Sequence, residues 1–352
     1  MRIIIPRECK VFEGRVALSP AAVGELVRAG HEVCVEIGAG HAAGYADDAY
    51  QKAGASLQSD RHALYAEAAL IVKVKEPQVE EWPLLHAGHR LFSYLHLAAA
   101  PDLLQALQQR QLTAVAFEAV QESGHLPLLA PMSRIAGELA IQWAMQYLSA
   151  PMGGKGLLLQ AIPGCQRARV LVLGGGVAGT QAALTAARLG AQVTVVEKRA
   201  ERWPELESLH PGITACPAQV ERWQALLAQA DVLVGAVLDP GARAPCLVDR
   251  NMVRSMQAGS VIVDIAIDQG GCIETMRATT YADPVYCSEG VLHCGVSNLP
   301  GAVPRTSSEA LSAALLPYVL RLAAADWRQD AVLAAAIQVA DGSVVAPVLR
   351  RH

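Results

Sequence analysis

The amino-acid sequence predicts an α/β protein with two doubly wound, Rossmann-like domains. Apolar strand-like runs alternate with helical patterns over roughly the first 130 residues, and a second alternation begins at "RARVLVLGGG" (167–176). Between them lies "MGGKG" (152–156), a glycine-rich break close to the domain junction. Strands separated by helices pair in parallel, because a parallel connection needs a crossover long enough to hold a helix.

The N-terminal part contains well-marked elements. "RIIIP" is a buried strand, and "SPAAVGELVRAG" is a helix with Ser19 as N-cap, Pro20 at the first position and Gly30 at the C-terminal cap. The strand "HEVCVEIG" follows the helix. Further along come the helix "DRHALYAEA", the strand "LIVKVK", the helix "PDLLQALQQR" and the strand "LTAVAF". This order favours an open parallel sheet.

The segment "IVKVKEP" (71–77) places two cations where an apolar layer is expected. Read as a strand, it puts Lys73 and Lys75 on one face and Val72 and Val74 on the other. The pair could protect an edge strand against aggregation, or it could bind an anion.

Beyond the first domain, a long helix is predicted from Ser133 to near Pro151, and strands "AQVTVVE", "ADVLVGAV" and "GSVIVDIA" follow. The chain becomes helical again from "TSSEALSAALLPYVLRLAAA". This tail is too short for a domain, so we expect it to pack onto the first one. The predicted domains are residues 1–130 with 304–352, and 131–303.

Composition narrows the function classes. The 352 residues are 52% hydrophobic and 18% charged, with a net charge of -4, which disfavours a nucleic-acid-binding protein. No apolar stretch is long enough to span a membrane, and the N-terminus does not resemble a signal peptide. The eight cysteines are scattered without a C-x-x-C pair, as in reduced thiols packed as small apolar groups. We therefore expect a cytoplasmic protein with no metal site.

The strongest local motif is a dinucleotide-binding loop. Gly174, Gly176 and Gly179 form G-x-G-x-x-G between an apolar strand and a helix, and Glu197 ends the next strand. Glycines let the main chain approach a pyrophosphate, and the acid accepts hydrogen bonds from the adenosine ribose. Glu197 favours NAD. Lys198 and Arg199 form either a solvated turn or a site for a 2′-phosphate, so NADP is not excluded.

Several polar residues in apolar or glycine-rich surroundings are candidates for chemistry. Arg15 and Lys75 could hold a carboxylate, and His96 could move a proton near neutral pH. Asp268 follows a strand and precedes a glycine turn, with Asp264 as its competitor. Each also has a structural interpretation: a surface cation, an edge-strand lysine, a hydrogen-bonded histidine or a turn-forming aspartate.

Taken with these residues, the chain resembles alanine dehydrogenase over nearly its whole length. The likeness rests on segments in the family's order: the N-terminal "RIIIPRECKVFEGRVALSPAAVGELVRAGHEVCVEIGAG", then "VKVKEP", "YLHLA", "LPLLAPMS", "GGKG", "LGGGVAGTQAA", "GAVLDPGARAP", "GSVIVDIAIDQGG" and "NLPGAVPRTSS".

The resemblance implies NAD-dependent, reversible oxidative deamination of L-alanine to pyruvate and ammonia. It assigns Arg15 and Lys75, rather than Lys73, to substrate binding, and His96 and Asp268 to catalysis. It also implies a discontinuous substrate domain around an inserted Rossmann domain, closing on an inter-domain cleft, and assembly into a dimer-based homohexamer. The implied cofactor contacts are Ser133, Gly174, Gly176, Val177, Ala178, Gly179, Glu197, Val237, Leu238, Ile265, Asp268, Asn298 and Leu299.

The sequence departs from the family pattern in places. Arg134 follows the serine where glutamate is usual, and Phe117 replaces a tyrosine. Asp239 stands for an aliphatic residue, Leu299 for a methionine and Glu197 for an aspartate.

Three alternatives remain on sequence grounds. The chain could act on another small amino acid, such as glycine or serine. It could be a non-deaminating module like the soluble NAD domain of proton-pumping transhydrogenase. It could also be an NAD sensor without turnover.

Overall fold

The structure, a computed structural model, describes residues 1–237 and 244–351. The chain divides into two compact units. The first unit is Met1–Met132 with Pro300–His352, and the second is Ser133–Leu299. Each unit is organised around one sheet.

The strands of the described residues are, in chain order, β1 Arg2–Ile5, β2 Glu32–Glu36, β3 Ser56–Gln58, β4 Leu70–Val72, β5 Arg90–Ser93, β6 Thr113–Ala116, β7 Arg169–Leu173, β8 Gln192–Val196, β9 Ile213–Cys216, β10 Val232–Gly235, β11 Val261–Asp264, β12 Val285–Ser288, β13 Val291–Cys294, β14 Ile337–Ala340 and β15 Ser343–Val344.

The α-helices are α1 Pro20–Arg28, α2 Asp47–Lys52, α3 Arg61–Ala66, α4 Pro101–Gln109, α5 Ala130–Tyr147, α6 Val177–Arg188, α7 Trp203–Ser208, α8 Val220–Leu227, α9 Arg250–Ser255, α10 Pro304–Ala323 and α11 Ala331–Ala336. Short 3-10 helices lie at His41–Ala43, Val79–Leu84, Leu97–Ala99, Phe117–Ala119, Ala150–Met152, Ala200–Arg202, Ile265–Gln269, Leu299–Ala302, Trp327–Gln329 and Pro347–Arg351.

The first unit contains an eight-stranded sheet in the order β15-β14-β6-β5-β4-β1-β2-β3. Strands β1 to β6 are parallel, whereas β14 and β15 extend the β6 edge in antiparallel fashion. The chain runs outward from β1 in one direction and then from β4 in the other. The point between β1 and β4 is therefore a topological switch point, where ligands of doubly wound sheets bind beyond the carboxyl ends of the strands.

The second unit repeats this arrangement. Its seven-stranded sheet has the order β12-β13-β11-β10-β7-β8-β9, with only β12 antiparallel. The switch point lies between β7 and β10. Two mostly parallel sheets with helices between their strands confirm the predicted fold class.

The central strands form where the sequence predicts because both faces of each are covered, whereas the strands β3, β9, β12 and β13 were not predicted. Ile3, Ile4 and Ile5 of β1 are fully buried, as are Val232 and Leu233 of β10. Burial on both faces explains why these strands are continuous apolar runs rather than alternating ones. The predicted capping of α1 is also confirmed: Ser19 accepts a hydrogen bond from the main-chain N–H of Ala22.

Other local predictions need correction. The strand predicted over 71–77 ends at Val72, so its alternation does not extend to the lysines. β4 lies between β1 and β5, which rules out an edge-guarding role for Lys73. The long helix begins at Ala130, three residues before Ser133.

The tail and the cysteines also differ from expectation. The tail is helical in α10 but also supplies β14 and β15, which the sequence analysis missed. All eight cysteines are free thiols, and four are buried, but Cys165, Cys246 and Cys287 are exposed rather than packed as apolar groups. Within the described residues no helix is both long and apolar enough to cross a membrane.

The α1 cap gives a test of this local structure. Ser19→Ala removes an acceptor from the helix N-terminus and a partner from the Ser312 hydroxyl, which lies 3.1 Å from Ser19 Oγ. We expect the free energy of unfolding to fall by about 1 kcal/mol, measured by urea denaturation. Ser208→Ala, at an exposed position in α7, is the control and should change it by less than about 0.5 kcal/mol. Equal effects would contradict the capping role.

Candidate active site

The first unit carries three of the predicted site residues on loops that follow neighbouring parallel strands. Arg15 comes after β1, Lys75 after β4 and His96 after β5, and β1, β4 and β5 are adjacent in the sheet. All three side chains therefore belong to the carboxyl edge of the sheet, at and beside its switch point. This is the position in which a doubly wound domain binds a small molecule.

Arg15 is a buried cation with a fixed orientation. Only 2% of its surface is exposed, and its Nε donates to Glu13 Oε1 at 2.7 Å while Nη2 donates to Glu13 Oε2. Nη1 lies 3.1 Å from Met132 Sδ. Burial alone would lower the pKa of Arg15, but the charge and hydrogen bonds of Glu13 outweigh it, and the net pKa is raised. Arg15 is thus a permanent, preorganised positive charge.

Lys75 and Lys73 have different environments. Lys73 is fully buried, and its Nζ lies 3.2 Å from Glu8 Oε2 and 3.1 Å from Glu81 Oε2. Lys75 is 8% exposed, and its main-chain N–H donates to Glu8 Oε2 at 3.3 Å. Lys73 is therefore part of an internal ion cluster, whereas Lys75 remains the candidate for substrate binding.

His96 lies in a left-handed backbone conformation, with φ of 47°. A non-glycine residue there is strained, and local hydrogen bonds compensate: Glu118 Oε1 accepts from the N–H groups of Leu95 and His96, at 3.2 and 2.7 Å. His96 Nδ1 lies 3.9 Å from the same oxygen. The imidazole is 42% exposed and is stacked parallel to Tyr94, with ring centroids 6.0 Å apart. The turn thus presents an oriented imidazole to solvent.

The glycine loop of the second unit connects β7 to α6 as predicted, and each glycine has a distinct reason. Gly174 has φ of 97°, and a Cβ there would lie 2.6 Å from the Ala236 carbonyl oxygen. A Cβ on Gly179 would lie 1.9 Å from the Gly174 carbonyl oxygen. A Cβ on Gly176 would meet no chain atom within 4 Å, so that position is open at the helix N-terminus. Main-chain N–H groups at an open helix N-terminus are the groups that bind phosphates in dinucleotide-binding loops.

Glu197, just past the end of β8, is held by its neighbours. The residue is 4% exposed, and its Oε2 accepts from Gly175 N–H at 3.2 Å. Its Oε1 accepts from the main-chain N–H and the Nε of Arg199, at 3.0 and 3.1 Å. Burial alone would raise the pKa of Glu197, but the hydrogen bonds and the charge of Arg199 outweigh this effect, and the pKa is lowered overall. Arg199 is therefore an ion-pair partner of Glu197 in an exposed turn: 48% of its side chain is exposed, and Lys198 beside it is exposed as well, as the solvated-turn interpretation predicts.

Asp268 lies in the short 3-10 helix Ile265–Gln269 after β11. Its two carboxylate oxygens each lie 3.3 Å from the main-chain N of Asn298, a residue with φ of 62°. Asp264 has a separate, structural role: it is buried and accepts from the N–H groups of Ala266 and Cys272 at 3.0 and 2.9 Å. Burial raises the pKa of Asp264 to about 6. Asp268, which is exposed, is the better candidate for catalysis.

The remaining predicted cofactor contacts lie at ends of elements in the second unit. Ser133 is half-buried in the first turn of α5, and Val177 is the first residue of α6, with Ala178 next. Val237 follows β10, while Ile265 and Leu299 begin 3-10 helices. Leu238 and Asp239 lie outside the described residues. Among the residues that are described, no group of histidine, cysteine, aspartate and glutamate could hold a metal ion.

Sequence reasoning missed the carboxylates that hold this site. Glu8, Glu13 and Glu118 each bind a candidate residue or its main chain. A signal was present: "RECKVFEGR" places two acids within a loop that follows a buried strand, and "FE" follows another. Acids at strand ends near predicted cations are candidates for pairing.

Comparison with known proteins identifies relatives over the whole chain. The model of the "Alanine dehydrogenase/PNT, N-terminal domain" matches residues 4–136, and that of the corresponding C-terminal domain matches residues 140–347. Alanine dehydrogenase of Halomonas elongata is 45% identical over 350 residues, covering 98% of this chain and 94% of that protein.

Solved structures agree with these sequence matches. A structure of L-alanine dehydrogenase superposes with a TM-score of 0.95 at 44% identity, covering 100% of this chain and 98% of the other. Transhydrogenase from Sinorhizobium meliloti has a TM-score of 0.87 at 28% identity, covering 98% of this chain and 100% of the other.

Two glycine substitutions separate the structural and binding roles of the loop. Gly176→Ala adds a methyl group to open space, so we expect an unchanged melting temperature but NADH affinity reduced on the order of tenfold, because the methyl group occupies the pyrophosphate position. Gly179→Ala should lower the melting temperature as well, since its Cβ would overlap a carbonyl oxygen. Thermal unfolding and NADH fluorescence titration measure both; unchanged NADH affinity in Gly176→Ala would contradict the assignment.

Proposed function

Because this chain belongs to the alanine dehydrogenase/PNT family, we propose that it catalyses the NAD-dependent, reversible oxidative deamination of L-alanine to pyruvate and ammonia. The observation that carries the proposal is the set of side chains at the carboxyl edge of the first sheet. There, a fixed guanidinium, a second cation and an oriented imidazole follow three adjacent strands. A small carboxylic acid with a reacting α-carbon suits that set of groups.

The first unit is the proposed substrate-binding domain. Arg15 and Lys75 bind the carboxylate of alanine or pyruvate, and Lys75 also donates a hydrogen bond to the carbonyl oxygen of pyruvate. Both side chains are largely buried, and ion pairs in such surroundings are stronger than in water. Glu13 keeps the guanidinium in place before substrate arrives, so little ordering is required on binding.

His96 is the proposed proton-transfer group for the nitrogen and oxygen atoms at the substrate α-carbon. Water adds to that carbon after its oxidation, and a base is needed to remove a proton from the water while an acid protonates the departing amine. An imidazole can perform both steps near neutral pH. Asp268, in the second unit, is proposed as a further group that carries or orients protons, with its carboxylate placed by the Asn298 N–H.

The second unit is the proposed cofactor-binding domain. The glycine loop would bind the pyrophosphate of NAD, and Glu197 would accept hydrogen bonds from the adenosine ribose. When bound, NAD supplies the hydride acceptor. Further contacts are proposed at Ser133, Val177, Ala178, Val237, Ile265, Asn298 and Leu299, and at Leu238. Glu197 supports NAD over NADP because its carboxylate repels a 2′-phosphate.

Assembly and location extend the proposal. We propose a homo-oligomer, a hexamer built from dimers, located in the cytoplasm. The assembly rests on the resemblance to alanine dehydrogenases, and the location rests on the scattered cysteines without a C-x-x-C pair.

A direct assay tests the proposed activity. Purified protein with NAD and L-alanine should produce NADH, monitored by its near-ultraviolet absorbance, and ammonium with pyruvate should consume it. Glycine and L-serine serve as comparison substrates, and we expect L-alanine to give the highest kcat/KM. A preference for another small amino acid would correct the substrate, whereas no NADH formation from any of them would refute deamination. The similarity to transhydrogenase makes hydride exchange between nucleotides the alternative to assay in that case.

Replacing the imidazole tests the assignment of His96. His96→Ala should reduce kcat by roughly 10²- to 10⁴-fold with NADH affinity changed less than about threefold, because proton transfer is lost while the second unit is untouched. His62→Ala is the matched control, since His62 is an exposed histidine of α3. A near-normal rate in His96→Ala would move the acid–base role to Asp268 or to water.

A further inference from the structure

Beneath the candidate substrate residues lies a cluster of buried ionisable side chains, here called the ion cluster: Tyr65, Glu8, Lys73 and Glu81. Lys73 and Glu81 are fully buried in side chain, Glu8 is 2% exposed in side chain, and Tyr65 is 1% exposed. Lys73 lies between the two carboxylates, and Tyr65 donates its hydroxyl hydrogen to Glu81 Oε1 at 2.8 Å. The proposed reaction assigns no role to any of them.

The ion cluster is costly to build. Removing charges from water is unfavourable, and a buried ion pair often contributes less to stability than apolar residues of similar volume. The pKa values of both partners reflect the burial. Burial raises the pKa of Glu8, although the charge of Lys73 acts in the opposite direction. Burial would lower the pKa of Lys73, but the charges and hydrogen bonds of Glu8 and Glu81 outweigh it and raise that pKa. Stability alone is therefore a weak reason for these charges, and their position indicates what they do.

Glu8 connects the two loops at the switch point. It follows β1 in the chain, yet its Oε1 accepts from the main-chain N–H of Val74 at 2.6 Å and its Oε2 from that of Lys75 at 3.3 Å. Val74 and Lys75 follow β4. The pairing of β4 with β1 extends only to Ile71, so it ends before these two residues. The Glu8 carboxylate thus accepts main-chain hydrogen bonds of the kind that the carbonyl groups of a neighbouring strand accept.

We propose that Glu8 is a positioning residue for Lys75: it fixes the main chain at residues 74–75, and Lys73 is the counter-ion that allows a carboxylate to be buried there. This inference rests on the proposed role of Lys75 in binding the substrate carboxylate. The strand-like sequence "IVKVKEP" thus contains two lysines of different function. One balances charge beneath the site, and the other faces the substrate.

Glu81 provides a matched comparison within the ion cluster. It has the same side chain as Glu8, is similarly buried, and binds the same Lys73 ammonium. Its other hydrogen bonds come from Tyr65 and from the main-chain N–H of Gln78, rather than from the N–H groups of Val74 and Lys75 that Glu8 binds. Removing the charge of Glu81 perturbs the cluster but leaves the hydrogen bond of the Lys75 N–H intact.

The test compares Glu8→Gln with Glu81→Gln in the assembled enzyme. Each substitution leaves Lys73 with one carboxylate partner. Only Glu8→Gln also replaces one of the two oxygens that accept hydrogen bonds from the N–H groups of Val74 and Lys75. The amide NH2 group that takes its place cannot accept a hydrogen bond. We expect Glu8→Gln to raise KM for pyruvate about tenfold or more, with KM for NADH changed less than about threefold. Glu81→Gln should change KM for pyruvate less than about threefold, even where it lowers the melting temperature as much as Glu8→Gln. Equal effects on KM for pyruvate would overturn the proposal.

A double-mutant cycle asks whether Glu8 acts through Lys75. If it does, adding Glu8→Gln to Lys75→Ala should change KM for pyruvate by less than about twofold, because the side chain it positions is already absent. Multiplicative effects would assign Glu8 a general structural role and refute the inference. If Glu8→Gln does not fold, Glu8→Asp carries the same test, since it keeps the charge but shortens the reach. Wild-type activity with alanine is measured separately, so failure of the proposed function is distinguishable.

Discussion

Matching of buried charges dominates the carboxyl edge of the first sheet. Arg15 and Lys73 are both almost completely removed from water, and each is in contact with a carboxylate supplied by the loop after β1. Lys73 also contacts Glu81, which lies outside that loop. Without these carboxylates, the cost of desolvating the two cations would favour their exposure to solvent or, for Lys73, loss of its proton. The loop after β1, together with Glu81, therefore keeps these positive groups charged and in place.

The two units share one sheet order, and the proposed function uses it for two kinds of anion recognition. In the second unit, glycines keep the start of α6 open, so that main-chain N–H groups and the positive helix terminus would meet the ligand. In the first unit, the loop after β1 has no such motif and holds acids and an arginine instead. Binding by main-chain N–H groups suits a pyrophosphate, a group that all dinucleotide cofactors share. Side-chain cations, which differ in reach and direction, suit a small acid whose α-carbon must be oriented.

How far the sequence predicted this structure depends on the range of the interactions involved. The capped helix α1, the glycine loop and the buried strands follow from local rules, and Ser19 and Gly179 behave as those rules require. The end of β4 at Val72 did not: its pairing with β1 stops at Ile71, and beyond it the N–H of Val74 donates to Glu8, a residue 66 positions away in the chain. The ion pair of Arg199 with Glu197 was not predicted either, since it depends on the turn between the two residues.

The site itself was predicted unevenly for the same reason. Residue types and strand ends pointed to Arg15, Lys75, His96 and Asp268, and family resemblance chose Lys75 over Lys73, which the structure places in the ion cluster. The supporting carboxylates were missed, because an acid in a loop has many possible partners until the fold selects one. The left-handed turn at His96 could not be inferred from the sequence, as histidine carries no general preference for it strong enough to predict.

The pairing of β14 with β6 has a consequence for biosynthesis. The strands β14 and β15 of the first sheet come after the whole second unit in the chain. During synthesis, the second unit therefore emerges from the ribosome before the first sheet is complete. The inserted unit can fold during translation, whereas the flanking unit has to wait with β6 as an uncovered edge. Nascent chains paused before residue 337 would therefore be the ones that most need chaperones.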